Sequence, residues 1–560
     1  MVRRPRPAAM GQAGARGDRT EPVPEQARRQ AHGGFGERTE VSVMGRTAGE
    51  CGWIDADPGR PGLGAGAGRD VVIIGGGVAG TSVLVQMVDE LTCPETGAAA
   101  VSHPGRVRSV RVIDPNPIGW GLAFGDDDPI LLCNSAVSLN SLRVHQPEDF
   151  LHHLRQRGWT GRPEACVPRS WMAEYCHARY AQARSRAATH GIEVSHLSAS
   201  ASSLDIRPAG YRVRLADGRE VTASDVVLCI GVHRPRVPDG FGSWQDHPRY
   251  LNSPYPSTRL RERTGRRPRR VLVLGTRQSA IDAAMMLCHD GHRVTLSSPS
   301  GLLPAVRASL APPPHPFPPL ERMARLDPSD PRLEDRITRS VVEAVRMAGP
   351  LPLRRQTSTV ADPVRRLSEE IALAEAGACQ WAHICVPVIE AAIALGAAVP
   401  AERRSALLAH FARLTGRYVT AMALPNARRL LAHLRCGTLH LAGRYPSDAA
   451  YSDGAWLVRW PDASTDTFDH VVNATGFHPP ELFWDRAHGT LHLDRPAATD
   501  AVAVDHLEAD LRVRVHATAA PERIWIVGVG THLRIPFANH LHNVVTQAHR
   551  TTNSLLQPPL

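Results

Sequence analysis

The stretch RDVVIIGGGVAGTSVLVQMVDEL, residues 69–91, constrains the fold more than any other part of the chain. Four consecutive apolar residues, Val71 to Ile74, suit a strand buried on both faces. Beyond Gly80, the residues Val83, Met87 and Leu91 recur at helical spacing. Between strand and helix stands Gly75-x-Gly77-x-x-Gly80. Gly75 permits a tight turn, Gly77 lets a pyrophosphate approach the backbone, and Gly80 lets helix and strand pack closely, so that the helix N-terminus faces the phosphates. The next strand, SVRVIDP (109–115), ends in Asp114, an acid placed to accept hydrogen bonds from an adenosine ribose. It lies farther on than the usual ~20 residues, and the insertion LTCPETGAAAVSHPGRVRS accounts for the gap. A glycine turn without a ligand is the competing reading, and the strand, helix and acid weigh against it.

VLVLGTRQSAID, residues 271–282, repeats the pattern with one exception. Gly275 keeps the turn, Ala280 takes the close-packing position, and Gln278 and Ser279 open the helix. Arg277, however, stands where the second glycine belongs. Three readings stay open: a modified cradle in which Arg277 pairs with a phosphate, a cradle that binds weakly or differently, and a scaffold that binds nothing. The following strand ends in Ser297 and Ser298, where an acid would prefer NAD and an arginine NADP. Serines can hydrogen-bond a 2'-phosphate without neutralising it, so the choice of nicotinamide is open. Two such units, one nested between parts of the other, imply an α/β fold of two Rossmann-like dinucleotide-binding domains, the second inserted in the first.

The 560-residue length allows two or three domains. Residues 1–69, rich in Gly, Pro, Arg and Ala, read as a disordered tail, followed by a first domain over 70–250 and 471–557. The second domain spans 268–470, with a mostly helical insertion over 311–435. Arg3-Arg4 precedes no apolar stretch, which argues against a twin-arginine export signal, and Met44 lies nearer the first ordered element as an alternative start. The most apolar segment, 381–399, contains His383, Pro387 and Glu390 and suits a buried or amphipathic helix better than a membrane span.

All 65 basic residues are arginine, which excludes a Walker lysine, a Schiff base and a pyridoxal-phosphate site. The net charge of +10 owes +6 to RLRERTGRRPRR (259–270), with seven arginines and one glutamate. This cluster reads as a charged linker or as a lure for a phosphorylated cofactor. No nucleic-acid-binding motif accompanies it. Ten cysteines without a C-x-x-C pair suggest reduced thiols in the cytoplasm and argue against a dithiol reductase.

Segments 226–235 (VVLCIGVHRP) and 470–480 (HVVNATGFHPP) each run from a buried strand through a small-residue turn to proline. Together with GGGVAG, LLCNSAVSLNSLRVH (131–145), VLVLGTRQSAID, GLLPAVR (301–307) and GVGTHLRIPFANH (528–540), they make the chain from about 70 to 557 similar to one family. It resembles the FAD/NAD(P)-binding oxidoreductases related to flavin-dependent N-hydroxylating and Baeyer-Villiger monooxygenases, including the nitrosuccinate-forming amino-acid N-oxygenases. The resemblance implies FAD on the first unit, NADPH or NADH on the second, and cofactor contacts at Gly231, Thr475, Gly476 and Gly528. It implies a flavin ring facing the 131–145 loop, with Asn134, Arg143 and His532 as catalytic candidates and Arg143 as a substrate anchor. A helix after Pro536 would aim its N–H groups at the flavin pyrimidine. His540-x-His542 lacks carboxylate or cysteine support, so no metal is expected.

The expected activity is an NAD(P)H-consuming monooxygenase that uses molecular oxygen to oxidise the nitrogen of an amino acid, aspartate being one candidate, or of a small amine. An NAD(P)H oxidase or dehydrogenase without oxygen insertion is one alternative, and a non-catalytic flavin-binding protein with a degenerate second site is another. A homo-oligomer is compatible with either; nucleic-acid and membrane partners are not expected.

Overall fold

Val71 to Ile74 form the centre of a parallel sheet, as their unbroken apolar run implies. The strand Arg69–Ile74 pairs with Val107–Ile113 on one side and Asp225–Leu228 on the other, and Glu193–Leu197 and Ile524–Ile526 complete a five-stranded sheet. The last strand comes from the far end of the chain. Asp225 fastens this return: its buried carboxylate accepts from Arg69 Nε at 2.8 Å and from Arg523 Nε at 2.5 Å. One face of the sheet is covered by helices Val78–Leu91 and Leu541–Leu556, which meet through buried residues such as Met87, Val544 and Ala548. The other face meets a six-stranded antiparallel sheet drawn from residues 201–223 and 483–503. The computed structural model describes residues 68–93, 106–308, 310–496, 500–516 and 519–557. The expected tail through residue 67, and most of the insertion after Leu91, lie outside them.

The second glycine unit heads a second parallel sheet. Its strands run in the order Leu439–Leu441, Arg293–Ser297, Arg270–Leu274, His470–Asn473 and Tyr250–Leu251. Two boundaries therefore differ from the expected ones. Tyr250–Leu251 belongs to the second sheet although it precedes residue 268, and His470–Asn473 lies inside that sheet, paired in parallel with Val271 to Leu274. The arginine-rich stretch connecting the units is bonded to acids: Arg261 to Asp128 and Asp290, and Arg269 to Asp469. That favours the linker reading.

Two short strands, Val306–Arg307 and Met422–Ala423, pair in parallel and mark the neck of the helical insertion. Between them run the helices Pro318–Met323, Leu333–Met347, Pro363–Glu375, Cys385–Ala398 and Ala401–Leu414. The last continues into a π-helical turn, Thr415–Val419. By length and composition Gln380–Ala398 could cross a membrane; here Ala391 and Leu395 are buried against neighbouring helices.

Candidate active site

The turn after the first strand is shaped by steric demand. Gly75 has φ +107°, and a Cβ there would run into the carbonyl of Cys229, just past the neighbouring strand Asp225–Leu228. At Gly80 a Cβ would collide with the carbonyl oxygen of Gly75. Gly77 differs. Its φ of −68° suits any residue, and a Cβ would touch only Gly121, at 3.6 Å. Neither backbone nor packing requires glycine at 77, so the bare space beside the helix N-terminus is left for a ligand. Asp114 anchors the turn: Oδ2 accepts from Gly76 N at 2.7 Å and Oδ1 from Asn116 N at 2.8 Å.

The second cradle has nearly the same backbone. Gly275 has φ +128° and faces the carbonyl of Ala474, and Ala280 is fully buried at the close-packing position. Arg277 occupies the helix N-cap with φ −94° and ψ −167°, close to the −68° and −165° of Gly77. Its side chain leaves the cradle: the guanidinium lies against Gly416 of the π-helical turn, with Cζ 2.7 Å from where a Cβ would stand. The cradle opens on a cleft of about 680 Å³ whose walls include Arg277, Ser298, Ser300, Arg413, Tyr445 and Thr475. Ser297 and Ser298 are buried and occupied, Ser297 Oγ donating to Arg444 O at 2.7 Å and Ser298 Oγ lying 3.0 Å from Thr276 Oγ1. Gln278 Nε2 donates to Asp282 at 3.0 Å, and Ser279 sits in the first helical turn.

The 131–145 loop is gripped from both units. Asn134 Nδ2 donates to Ala421 O at 2.8 Å and its Oδ1 accepts from Ala423 N at 3.0 Å. Arg169 donates from Nε to Leu132 O at 3.0 Å and pairs with the buried Asp282 at 2.7 Å, joining the loop to the helix of the second cradle. Arg307, 1% exposed, donates to Asn134 O at 3.2 Å and to Val419 O at 3.1 Å. Arg143 does not reach a site as an open anchor: Nε pairs with Asp89 at 2.6 Å and Nη1 with Asp149 at 2.9 Å, which commits its charge.

Gly231, Gly476 and Gly528 each follow a sheet strand, and Gly528 N donates to Gln547 at 2.7 Å. Thr475 folds back on Asn473 Oδ1 through both its backbone N and its Oγ1. His532 stands in a 3-10 turn, Val529–Leu533, and burial lowers its pKa. The terminal helix begins at Leu541, later than Pro536 implied, with His540 at its N-cap. Burial, reinforced by the charge of Arg307, pushes His540 down to about 4.

Residues 72–233, spanning the first cradle and its sheet, match the family described as FAD-NAD(P)-binding. Over that segment the chain is similar to FAD-NAD(P)-binding domains. Against curated protein sequences the chain has no match. Among solved structures it is similar to the ornithine hydroxylase PvdA from Pseudomonas aeruginosa, with 13% identity and a TM-score of 0.52 over 87% of this chain and 99% of that one. It is similar also to the Kutzneria sp. 744 ornithine N-hydroxylase KtzI, whose structure includes reduced FAD, NADP+ and L-ornithine, with 16% identity and a TM-score of 0.51 over 87% and 99%. These likenesses establish a shared fold. Around the two cradles, the sequence alone did not single out Gly121, Arg413 and Gly416. Gly121 is visible in the sequence as part of a glycine-containing loop after Asp114. The other two carry no local signal, because only the folded insertion brings them to the second cradle.

Proposed function

We propose that the chain is an FAD-dependent, NAD(P)H-consuming monooxygenase that oxidises the amine nitrogen of an amino acid or small amine. The observation that carries this reading is the pair of cradles with matching backbone, each presenting a helix N-terminus, with the 131–145 loop gripped between their units. Bound FAD would supply a hydride acceptor and, once reduced, a centre for oxygen activation. Gly75, Gly77 and Gly80 would admit its pyrophosphate, and Asp114 would hold the turn while its carboxylate faces the ribose. Asn134 and Arg307 fix the loop, and Leu131 and Cys133, both buried, keep water from that side. Burial lowers the pKa of both His540 and His532 and so favours their uncharged rings, which adds no positive charge to this side of the proposed site.

Both similar hydroxylases are named for ornithine, which favours an amine substrate here. Aspartate loses its proposed anchor, since Arg143 is already paired. A reducing, cytoplasmic setting fits the cysteines, none of which is disulfide-bonded among the described residues.

The deciding experiment mixes the FAD-loaded protein with NADPH or NADH without oxygen, then adds oxygen with and without a panel of amines and amino acids. Flavin bleaching followed by a substrate-dependent hydroxylamine or further oxidised product supports the reading. Bleaching that yields only hydrogen peroxide with every amine overturns it in favour of an oxidase.

A further inference from the structure

Arg277 joins two regions that the sequence keeps far apart. Its guanidinium crosses the mouth of the second cradle to Gly416, and Arg413, one turn earlier, faces the same cleft. Both side chains are exposed, and neither has a carboxylate or hydrogen-bond partner among the described residues. The neighbouring arginines differ: Arg417 is bonded to Glu370 and Arg444 to Asp462. The cleft thus holds two uncommitted cations. It also contains the end of the strand Arg293–Ser297, where a unit of this type holds the adenosine ribose.

No Asp or Glu lines that cleft. A carboxylate at the strand end would bond a free 2'-hydroxyl and repel a 2'-phosphate. The serines standing there do neither, because Ser297 and Ser298 are spent on Arg444 O and Thr276. Recognition of a phosphate must therefore come from across the cleft, and guanidinium groups suit it through charge-assisted, bidentate hydrogen bonds.

We propose that Arg277 and Arg413 together select NADPH over NADH by gripping the 2'-phosphate, so that the helical insertion forms part of the nucleotide site. This rests on the second cradle being the nicotinamide site. Gly416 makes the pairing feasible, since its missing side chain lets Arg277 lie beside the turn that presents Arg413.

The test is calorimetric titration of the full-length, FAD-loaded protein with NADP+ and NAD+, and with 2'-phospho-ADP-ribose and ADP-ribose. The phosphorylated member of each pair is expected to bind at least about tenfold tighter. Arg413→Gln and Arg277→Gln should each weaken NADP+ by about tenfold and leave NAD+ within about twofold, with flavin absorbance and Tm unchanged. Equal binding of NADP+ and NAD+ by the wild type overturns the selection while leaving the two-nucleotide reading intact. Equal loss of both nucleotides in Arg413→Gln also overturns it, because the arginine would then serve a phosphate common to both. If the wild type binds none of the four, the nicotinamide reading of the second cradle falls with it.

Discussion

At Gly77 a residue without a side chain is kept where the protein's own packing has room for one, whereas at Gly80 a methyl group has nowhere to go. The two glycines of one motif should thus fail differently. Gly80→Ala is expected to destabilise the protein by about 1–3 kcal/mol through overpacking, read as a fall in the Tm of the flavin-free form. Gly77→Ala should leave that Tm nearly unchanged and instead weaken FAD by about tenfold or more, read by flavin release during dialysis. Arg143 makes the opposite lesson. The resemblance offered it as a substrate anchor, yet Asp89 from the first helix and Asp149 from the helix beyond the loop both bind it. Arg143→Gln should lower stability by about 1–3 kcal/mol, read as a fall in Tm, and, if the proposed function holds, leave the KM for its amine substrate unchanged at temperatures where the variant is folded.

The strands were legible because their signals are local. Val71 to Ile74 and Val271 to Leu274 are apolar on both faces, and the strands Gly210–Leu215 and Glu220–Ala223 alternate as a half-buried hairpin does. The pairing of residues 201–223 with 483–503 was not legible, since nothing in either segment names its partner. Asp205 holds that seam. Burial opposes its ionisation, but hydrogen bonds from Arg214, Thr490 and Arg207 prevail and hold its pKa down to about 2. A carboxyl depressed in the folded state stabilises above its unfolded pKa of about 3.9 and loses that contribution as pH falls through the folded value. The protein should lose stability between about pH 4 and pH 2, and Asp205→Asn should flatten this part of the curve while lowering the pH 7 plateau. Chemical denaturation at a series of pH values checks both.

At the scale of the molecule, the first cradle could be read from the sequence because all its parts lie within one strand-turn-helix stretch and the next strand. The second could be read only in part, since its cleft is walled by an insertion whose register against the cradle depends on tertiary contacts. Asn134 is one such contact, bridging the 131–145 loop to Ala421 and Ala423 at the insertion's neck. Asn134→Ala should retain FAD yet make the 311–435 region several-fold more susceptible to limited proteolysis, because its clamp on the neck is gone. The bare α-carbon of Gly416 has a wider implication. Even a methyl group there would displace the Arg277 guanidinium from its place beside the turn that carries Arg413. A change of one small residue in a helical turn outside both sheets would thus be felt at the second cradle and leave the first untouched.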